Sequence, residues 1–378
     1  MAPDCATMAD HLNAPPSDPL DALRPALSAI VARFQGGADD EGPALIAPLG
    51  GGLINDTWAV GSDRVLQRLH PIFAATVNDD IAALTPVLRA AGVPVPALLP
   101  TRSGASCVVV PVGESADPRG CGVFRMLTRL PGRCHAKVAS PAMAGSAAAL
   151  LARFHGALAD CGHRFAFVRP GAHDTDRHVA SVGRALSAHP DHRLAAEVRE
   201  LERELSARWA SAPRLPDLPE RIIHGDPKIS NLLFDDAGEA IGILDLDTMA
   251  RSTLDIELGD ALRSWCNRSA EDETAILDID VFAAALEGYA GAAGASWTQA
   301  EAAAALPGLW RIALELSARF AADAIAESYF GWDPQRARAR GEHNLMRARG
   351  QLSLVRAVEE GRPRLQAIAN RAASAASA

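Results

Sequence analysis

Apolar residues from Pro19 to Phe34 fall at helical spacing (Leu20, Leu23, Leu27, Ile30, Val31, Phe34), which predicts an amphipathic leading helix. The stretch "GGADDEGP" ends it. The pattern then changes to short apolar runs of strand length: "ALIAPL", "DTWAV", "RVLQRL" and, further on, "CVVVPV" and "VFRMLTRL". Between them "TVNDDIAALTPVLRAAG" reads as a helix closed by a glycine C-cap. After Gly132 helical spacing takes over. "SPAMAGSAAALLARFHGALADCG" carries Pro at its start and Gly at its end, and "DHRLAAEVRELERELSARWA" is a charged amphipathic helix. From about Ala270 onward nearly everything reads as helix except "ESYFGWDPQ". The pattern predicts a small strand-rich lobe over residues 19–130, with the leading helix, and a larger helical lobe over 131–378. Residues 1–18, rich in Pro, Asp and Ser, are expected to be disordered.

Bulk composition narrows the class without naming a chemistry. The 378 residues suffice for two lobes, and 48% hydrophobic with 22% charged residues is ordinary for a globular chain. A net charge of −9 disfavours nucleic acid as a partner, while leaving room for an anionic nucleotide at one locally basic point. The six cysteines lack a CxxC pair, which points away from zinc and disulfide frameworks and toward a reducing, cytoplasmic setting. No run is apolar enough for a membrane span, and the amino terminus lacks the charge-then-apolar pattern of a secretory signal. The oligomeric state is not readable from these features.

One run departs from this plain background. "RIIHGDPKISNLLFDDAGEAIGILDLDT" (221–248) sets a polar loop between two apolar stretches, then a buried strand ending in carboxylates. Asp226 and Asn231 are five residues apart, and Asp245 follows fourteen residues later. Phosphoryl transfer asks for these parts: a base to orient a hydroxyl, hard oxygen ligands for Mg²⁺, and a cation near the transferred group. Asp226 suits the first role, Asn231 and Asp245 the second, and Lys228 the third; His224 reads as a brace for the loop. The competing reading is a polar β-hairpin turning at "DDAGE". The joint pattern favours a kinase-type site.

A nucleotide also needs a cover. "APLGGGLINDTWAV" (47–60) puts Gly50, Gly51 and Gly52 between two strand-like runs, where a backbone without Cβ atoms can approach phosphates. No GK[ST] follows, so this is not a Walker A loop. The next strand should carry a phosphate-binding cation, for which protein kinases use lysine. Here only Gln67 and Arg68 are on offer, and alternation lets only one of them face the nucleotide. Arg68 is preferred as the charged one. Asp79 or Asp80 on the following helix is its expected acidic partner, or else lies on a solvated face.

With these elements in order, the chain resembles the aminoglycoside phosphotransferase and choline kinase superfamily, and within it looks most like bacterial N-acetylhexosamine 1-kinases. The resemblance rests on "GGLINDTW", "VLQRLHPIF", "VFRMLTRLPG", "HGDPKISNLLFD", "ILDLDT", "LGDALRS", "ARFAADAIAESYF" and "HNLMRARGQLSL", spanning roughly residues 40–355. It implies an α+β, bilobal, protein-kinase-like fold that uses ATP and Mg²⁺. By position it implies Asp226 as base and Asn231 and Asp245 as metal ligands, with Asn55 and Thr57 joining the glycines and the Gln67/Arg68 pair at the nucleotide. Asp247 and Asp260 would steady the metal loop and adjoining helix. Arg319 falls where that group places an arginine near the sugar, or is an ordinary ion-pair residue. Tyr329 and Trp332 either stack on the sugar or lie in the core. "MARSTLDIELGD" lacks the expected Pro-Gly turn and Leu53 replaces a common polar residue, so a sister group with another substrate fits as well.

The resulting expectation is an ATP-dependent kinase of a sugar hydroxyl, foremost the anomeric hydroxyl of an N-acetylhexosamine. Kinases of another sugar, of a choline-like amino alcohol or of an aminoglycoside are the alternatives, and a non-catalytic nucleotide-binding scaffold is the remote one.

Overall fold

A computed structural model describes residues 20, 22–35, 45–49, 54–212, 215 and 217–375. The expectation of disorder for residues 1–18 falls outside them. The chain forms two compact units: residues up to Asp79 together with Ala97–Arg129, and Asp80–Pro96 together with Leu130 onward. Residues 80–96 thus pack with the second unit, across the division at 130/131 drawn from sequence.

The first unit is an antiparallel sheet of β1 (Ile46–Pro48), β2 (Asp56–Val60), β3 (Arg64–Arg68), β4 (Leu98–Leu99), β5 (Val108–Val110) and β6 (Gly122–Thr128). The strand order is β1-β2-β3-β6-β4, with β5 also on β6. The leading helix α1 (Arg24–Val31) supplies Leu23, Leu27, Ile30 and Val31 to one core with Trp58, Val60, Leu66, Phe124 and Met126. Burying each such leucine is worth about 1.5–3 kcal/mol, which is why the predicted stripe docks on the sheet. Even-numbered residues of β3 therefore face α1 and odd-numbered residues face away. Helix α2 (Val77–Ala90) begins in this unit, and its chain continues past Gly92 at φ +76°, the predicted glycine stop.

The second unit is mainly helical: α3 (Pro141–Ala157), α4 (Thr175–Ala188), α5 (Ala195–Ala210), α6 (Leu254–Trp265), α7 (Ile279–Ala293), α8 (Gln299–Ala326), α9 (Arg340–Glu360) and α10 (Arg362–Ala375). Helix α3 starts at the expected proline, with Ser140 as its cap, and ends at Ala157, short of the expected glycine stop. Helix α4 lacked an expectation, although Val179, Val182 and Leu186 mark its buried stripe. Two short antiparallel pairs complete the unit: β7 (Arg221–Ile223) with β10 (Ala250–Ser252), and β8 (Leu232–Phe234) with β9 (Ala240–Ile243). The β8–β9 turn is the predicted "DDAGE", where Asp235 Oδ1 accepts from the Ala237 and Glu239 amides. Helices α6 and α8 cross at Gly259 and Gly308; a Cβ on Gly308 would sit 2.1 Å from the Asp255 carbonyl oxygen. That close approach seats α6, which anchors the central loop. No helix among the described residues is long and apolar enough to cross a membrane.

Candidate active site

The loop between β7 and β8 is fixed from several sides. Gly225 has φ +79°, and a Cβ there would lie 2.3 Å from the Thr248 carbonyl oxygen, so only glycine fits. Beneath it the fully buried Glu257 of α6 accepts from the backbone amides of His224 at 2.8 Å and Gly225 at 2.9 Å. His155 Nε2 donates to the same carboxylate at 3.1 Å. Burial pushes the Glu257 carboxyl up, but His155, His224 and the Gly225 amide outweigh it and hold the group below the usual carboxylate range. His224 is buried and braces the loop: its Nε2 donates to the Leu244 carbonyl at 2.7 Å, which leaves Nδ1 to accept from the Asp226 amide. Trp265 Nε1 donates to the Pro227 carbonyl at 2.9 Å. Neither Glu257 nor Trp265 was singled out from sequence; an acidic residue inside the apolar helix "LDIELGDAL" was the available signal.

On this frame two donors converge on one oxygen of Asp226. Lys228 Nζ donates to Oδ2 at 2.5 Å and Asn231 Nδ2 to the same atom at 3.2 Å. A hydroxyl can then approach the second oxygen, Oδ1. Burial pulls the Lys228 ammonium down, yet Asp226, with Asp245 and Asp260, raises it above the ordinary lysine value, so it stays charged. Asn231 also donates to the Asp226 carbonyl at 2.8 Å, so both hydrogens of its Nδ2 are engaged and its oxygen is left as an acceptor. Asp245, in left-handed backbone at φ +59°, opens the short turn after β9. Burial and the carboxylates of Asp247 and Asp226 push its carboxyl up to about 6, against Lys228 and His224. Among the described residues no three His, Cys, Asp or Glu side chains group to hold a metal alone. A carboxylate crowded by others and an amide oxygen left as an acceptor are donors of the kind that fits Mg²⁺, which draws its remaining ligands from water and phosphates.

In the first unit, Gly50, Gly51 and Gly52 lie outside the described residues. Asn55 is buried and accepts from the His70 amide at 2.9 Å; the Thr57 hydroxyl donates to the Asn55 carbonyl at 3.2 Å. Arg68 lies on the α1 side of β3, where it donates to Asp56 at 3.0 Å and to the Cys121 carbonyl at 2.7 Å. Arg68 thus shares the α1 face of β3 with Leu66. Gln67 stands on the opposite face, in one cross-strand row with Thr57 and Arg125. Arg125, 1% exposed, donates to Gln67 Oε1 from Nε and Nη2 at 2.9 and 2.7 Å and to Asn78 Oδ1 at 3.4 Å. The expected acidic partners do other work. Asp79 accepts from Ser106 at 3.1 Å, and the buried Asp80 accepts from His163 and the Ala166 and Phe167 amides.

A family model for phosphotransferase enzymes matches residues 45–302, well over half of the chain. The chain belongs to the phosphotransferase enzyme family. Solved structures agree on the fold. Amicoumacin kinase hAmiN in complex with AMP-PNP, Ca²⁺ and Ami has a TM-score of 0.59 at 15% identity, covering 89% of this chain and 93% of that one. The microcompartment-associated aminopropanol kinase has a TM-score of 0.58 at 14% identity, covering 90% and 98%. A choline/ethanolamine kinase family protein from Mesorhizobium loti has a TM-score of 0.52 at 19% identity, covering 89% and 98%. The fold is thus the expected α+β one, with a sheet region followed by a mainly helical part.

Of the three acceptor candidates, Arg319 lies on α8, and Tyr329 and Trp332 lie on the loop that follows it. Tyr329 and Trp332 are 50% and 37% exposed, so neither is a core residue. Arg319 lies over the Phe330 ring at 5.6 Å. Their loop is held from below by the buried Asp323, which accepts from the amides of Ser328, Tyr329 and Phe330 and from Asn344 Nδ2. Arg347 donates to the Gly331 carbonyl and His343 Nδ1 accepts from the Asp333 amide. Among the described residues no hydrogen bond, ion pair or ring contact joins Arg319, Tyr329 or Trp332 to the Asp226 group. Asp260 pairs with Arg263 on its own helix at 2.9 Å, and Asp247 is buried.

Proposed function

We propose that this phosphotransferase is an ATP- and Mg²⁺-dependent kinase of a small-molecule sugar hydroxyl, with the anomeric hydroxyl of an N-acetylhexosamine as preferred acceptor. The observation that carries the reading is the catalytic loop. Asp226 is held by Lys228 and Asn231 through one oxygen, so the other is directed at a hydroxyl. The hydroxyl oxygen attacks the γ-phosphorus of ATP, its proton passes to Asp226, and the bond to the β-phosphate oxygen breaks to release ADP. Lys228, held charged, offsets negative charge growing on the transferred group. Asn231 and Asp245 would hold Mg²⁺, which when bound neutralises the phosphates. No covalent enzyme intermediate is involved.

The choice of a neutral sugar over a cationic acceptor rests on charge. The densest acidic run of the helical part, Glu271–Asp272–Glu273, is neutralised by arginines: Asp272 and Glu273 by Arg336, Glu271 by Arg263 and Arg347. A choline-like or aminoglycoside acceptor needs acidic or aromatic surroundings, and these carboxylates are engaged. The exposed Tyr329 and Trp332 rings, on a loop whose backbone Asp323 holds, suit the face of a sugar. The names of similar kinases favour the rival: amicoumacin, aminopropanol and choline/ethanolamine kinases share the fold.

The test is ADP release from Mg-ATP with N-acetylglucosamine, N-acetylgalactosamine, glucosamine, galactose, choline and an aminoglycoside, with Asp226→Asn as blank. Turnover confined to N-acetylhexosamines and lost in Asp226→Asn is expected, followed by NMR of the product to place the phosphate. Preference for choline or the aminoglycoside would overturn the sugar reading and leave the kinase. Binding of Mg-ATP without turnover of any acceptor would overturn the kinase reading in favour of the nucleotide-binding scaffold.

A further inference from the structure

The sheet face away from α1 holds a polar row that includes a buried arginine, Arg125, to which the sequence reading gave no role. Thr57, Gln67 and Arg125 stand side by side on β2, β3 and β6. Two guanidinium donors of the buried Arg125 converge on Gln67 Oε1, at 2.9 and 2.7 Å. That double contact fixes the orientation of the Gln67 amide, since a flipped NH₂ would set donor against donor. The amide nitrogen is thereby turned toward Thr57, donating to its hydroxyl oxygen at 3.3 Å. Nε2 carries two hydrogens, and one remains to be given. Gln67 is only half-buried.

We propose that Gln67 Nε2–H is the phosphate donor of β3, and that Arg125 is a positioning residue which orients and polarises it from behind. A kinase lysine needs an acidic partner on the following helix. Here Asn78 of α2 takes the corresponding place against Arg125, and the positive charge sits on the neighbouring strand behind an amide. Charge on the Gln67 oxygen draws electron density from its nitrogen, so the exposed N–H becomes a stronger donor than an unpaired amide would offer. Gln67→Lys would put a second cation against the Arg125 guanidinium and is not an equivalent solution. The assignment rests on the kinase reading above.

The experiment is titration of the full-length protein with Mg²⁺ and a non-hydrolysable ATP analogue, alongside thermal unfolding and steady-state kinetics. Gln67→Glu keeps an acceptor for Arg125, as an ion pair, but removes the donor; folding should be retained while the analogue binds roughly ten- to a hundredfold more weakly, the equivalent of one hydrogen bond to a charged group. Arg125→Lys should raise the KM for ATP and leave the acceptor KM unchanged. In a Gln67→Ala background Arg125→Lys should have no further effect on nucleotide affinity, because Arg125 acts through Gln67. Native-like affinity in Gln67→Glu, or effects of the two positions that simply multiply, would overturn the assignment. If the native protein binds no Mg-nucleotide, the kinase reading falls with it; if the native protein binds and Gln67→Glu binds equally, only this assignment falls.

Discussion

Replacing Glu257 by glutamine changes one oxygen to nitrogen beneath the catalytic loop. The carboxylate now accepts from the His224 amide at 2.8 Å, the Gly225 amide at 2.9 Å and His155 Nε2 at 3.1 Å, with no water-exposed surface. A glutamine offers one acceptor oxygen, so its NH₂ must face a buried N–H whichever way the amide turns. Each buried donor left without an acceptor costs about 1–3 kcal/mol, and the charge-assisted bond from His155 weakens as well. The expected loss is about 3–5 kcal/mol, a large part of the roughly 5–15 kcal/mol that holds a domain folded. Asp226 follows Gly225 directly, so turnover should fall too. Urea unfolding of both proteins across pH gives the check. The Glu257 carboxyl is depressed in the fold, so its contribution is present above the ordinary glutamate pKa and lost as pH falls through the depressed value. The stability gap between native protein and variant should therefore be widest near neutrality and close in acid. A loss below about 0.5 kcal/mol at neutral pH, the range of an ordinary surface change, would refute the view that an ionised Glu257 anchors the loop.

Three further outcomes follow from the same geometry. Gly225→Ala forces a left-handed residue and a Cβ at 2.3 Å from the Thr248 carbonyl; it should cost more than about 1–2 kcal/mol in urea unfolding and lower kcat by moving Asp226. Asp245 has its carboxyl raised to about 6, so the fold holds its proton more tightly than the unfolded chain does, and metal-free stability declines as pH rises from about 4 to 6. Mg²⁺ competes with that proton, so its stabilisation of the protein in thermal melts should be larger at pH 7.5 than at pH 5; equal shifts would count against Asp245 as a ligand. Asp323→Asn removes one acceptor oxygen from the 328–330 amides, and should raise the acceptor KM several-fold with the ATP KM unchanged; a change in the ATP KM alone would separate this loop from acceptor binding.

The parts legible in the sequence are those whose geometry is set within a few residues. The polar loop 224–231 reads directly because the contacts that Lys228 and Asn231 make to Asp226 span only two and five residues, around a glycine at φ +79° and a short turn. The leading helix and α2 read from period and punctuation for the same reason. Only the tertiary structure decided that Gln67, not Arg68, stands opposite α1, because a strand's pleat fixes alternation but not which face is buried; the α1 leucines, some forty residues earlier, choose it by claiming Leu66 and Trp58. The acid under the loop comes from Glu257 on another element, and the basic group behind Gln67 comes from Arg125, 58 residues away. Burying either charge is favourable only with partners that spacing along the chain does not display. The sequence thus determined the chemistry on offer, and packing decided which of its charged groups are buried as supports and which stay at the surface.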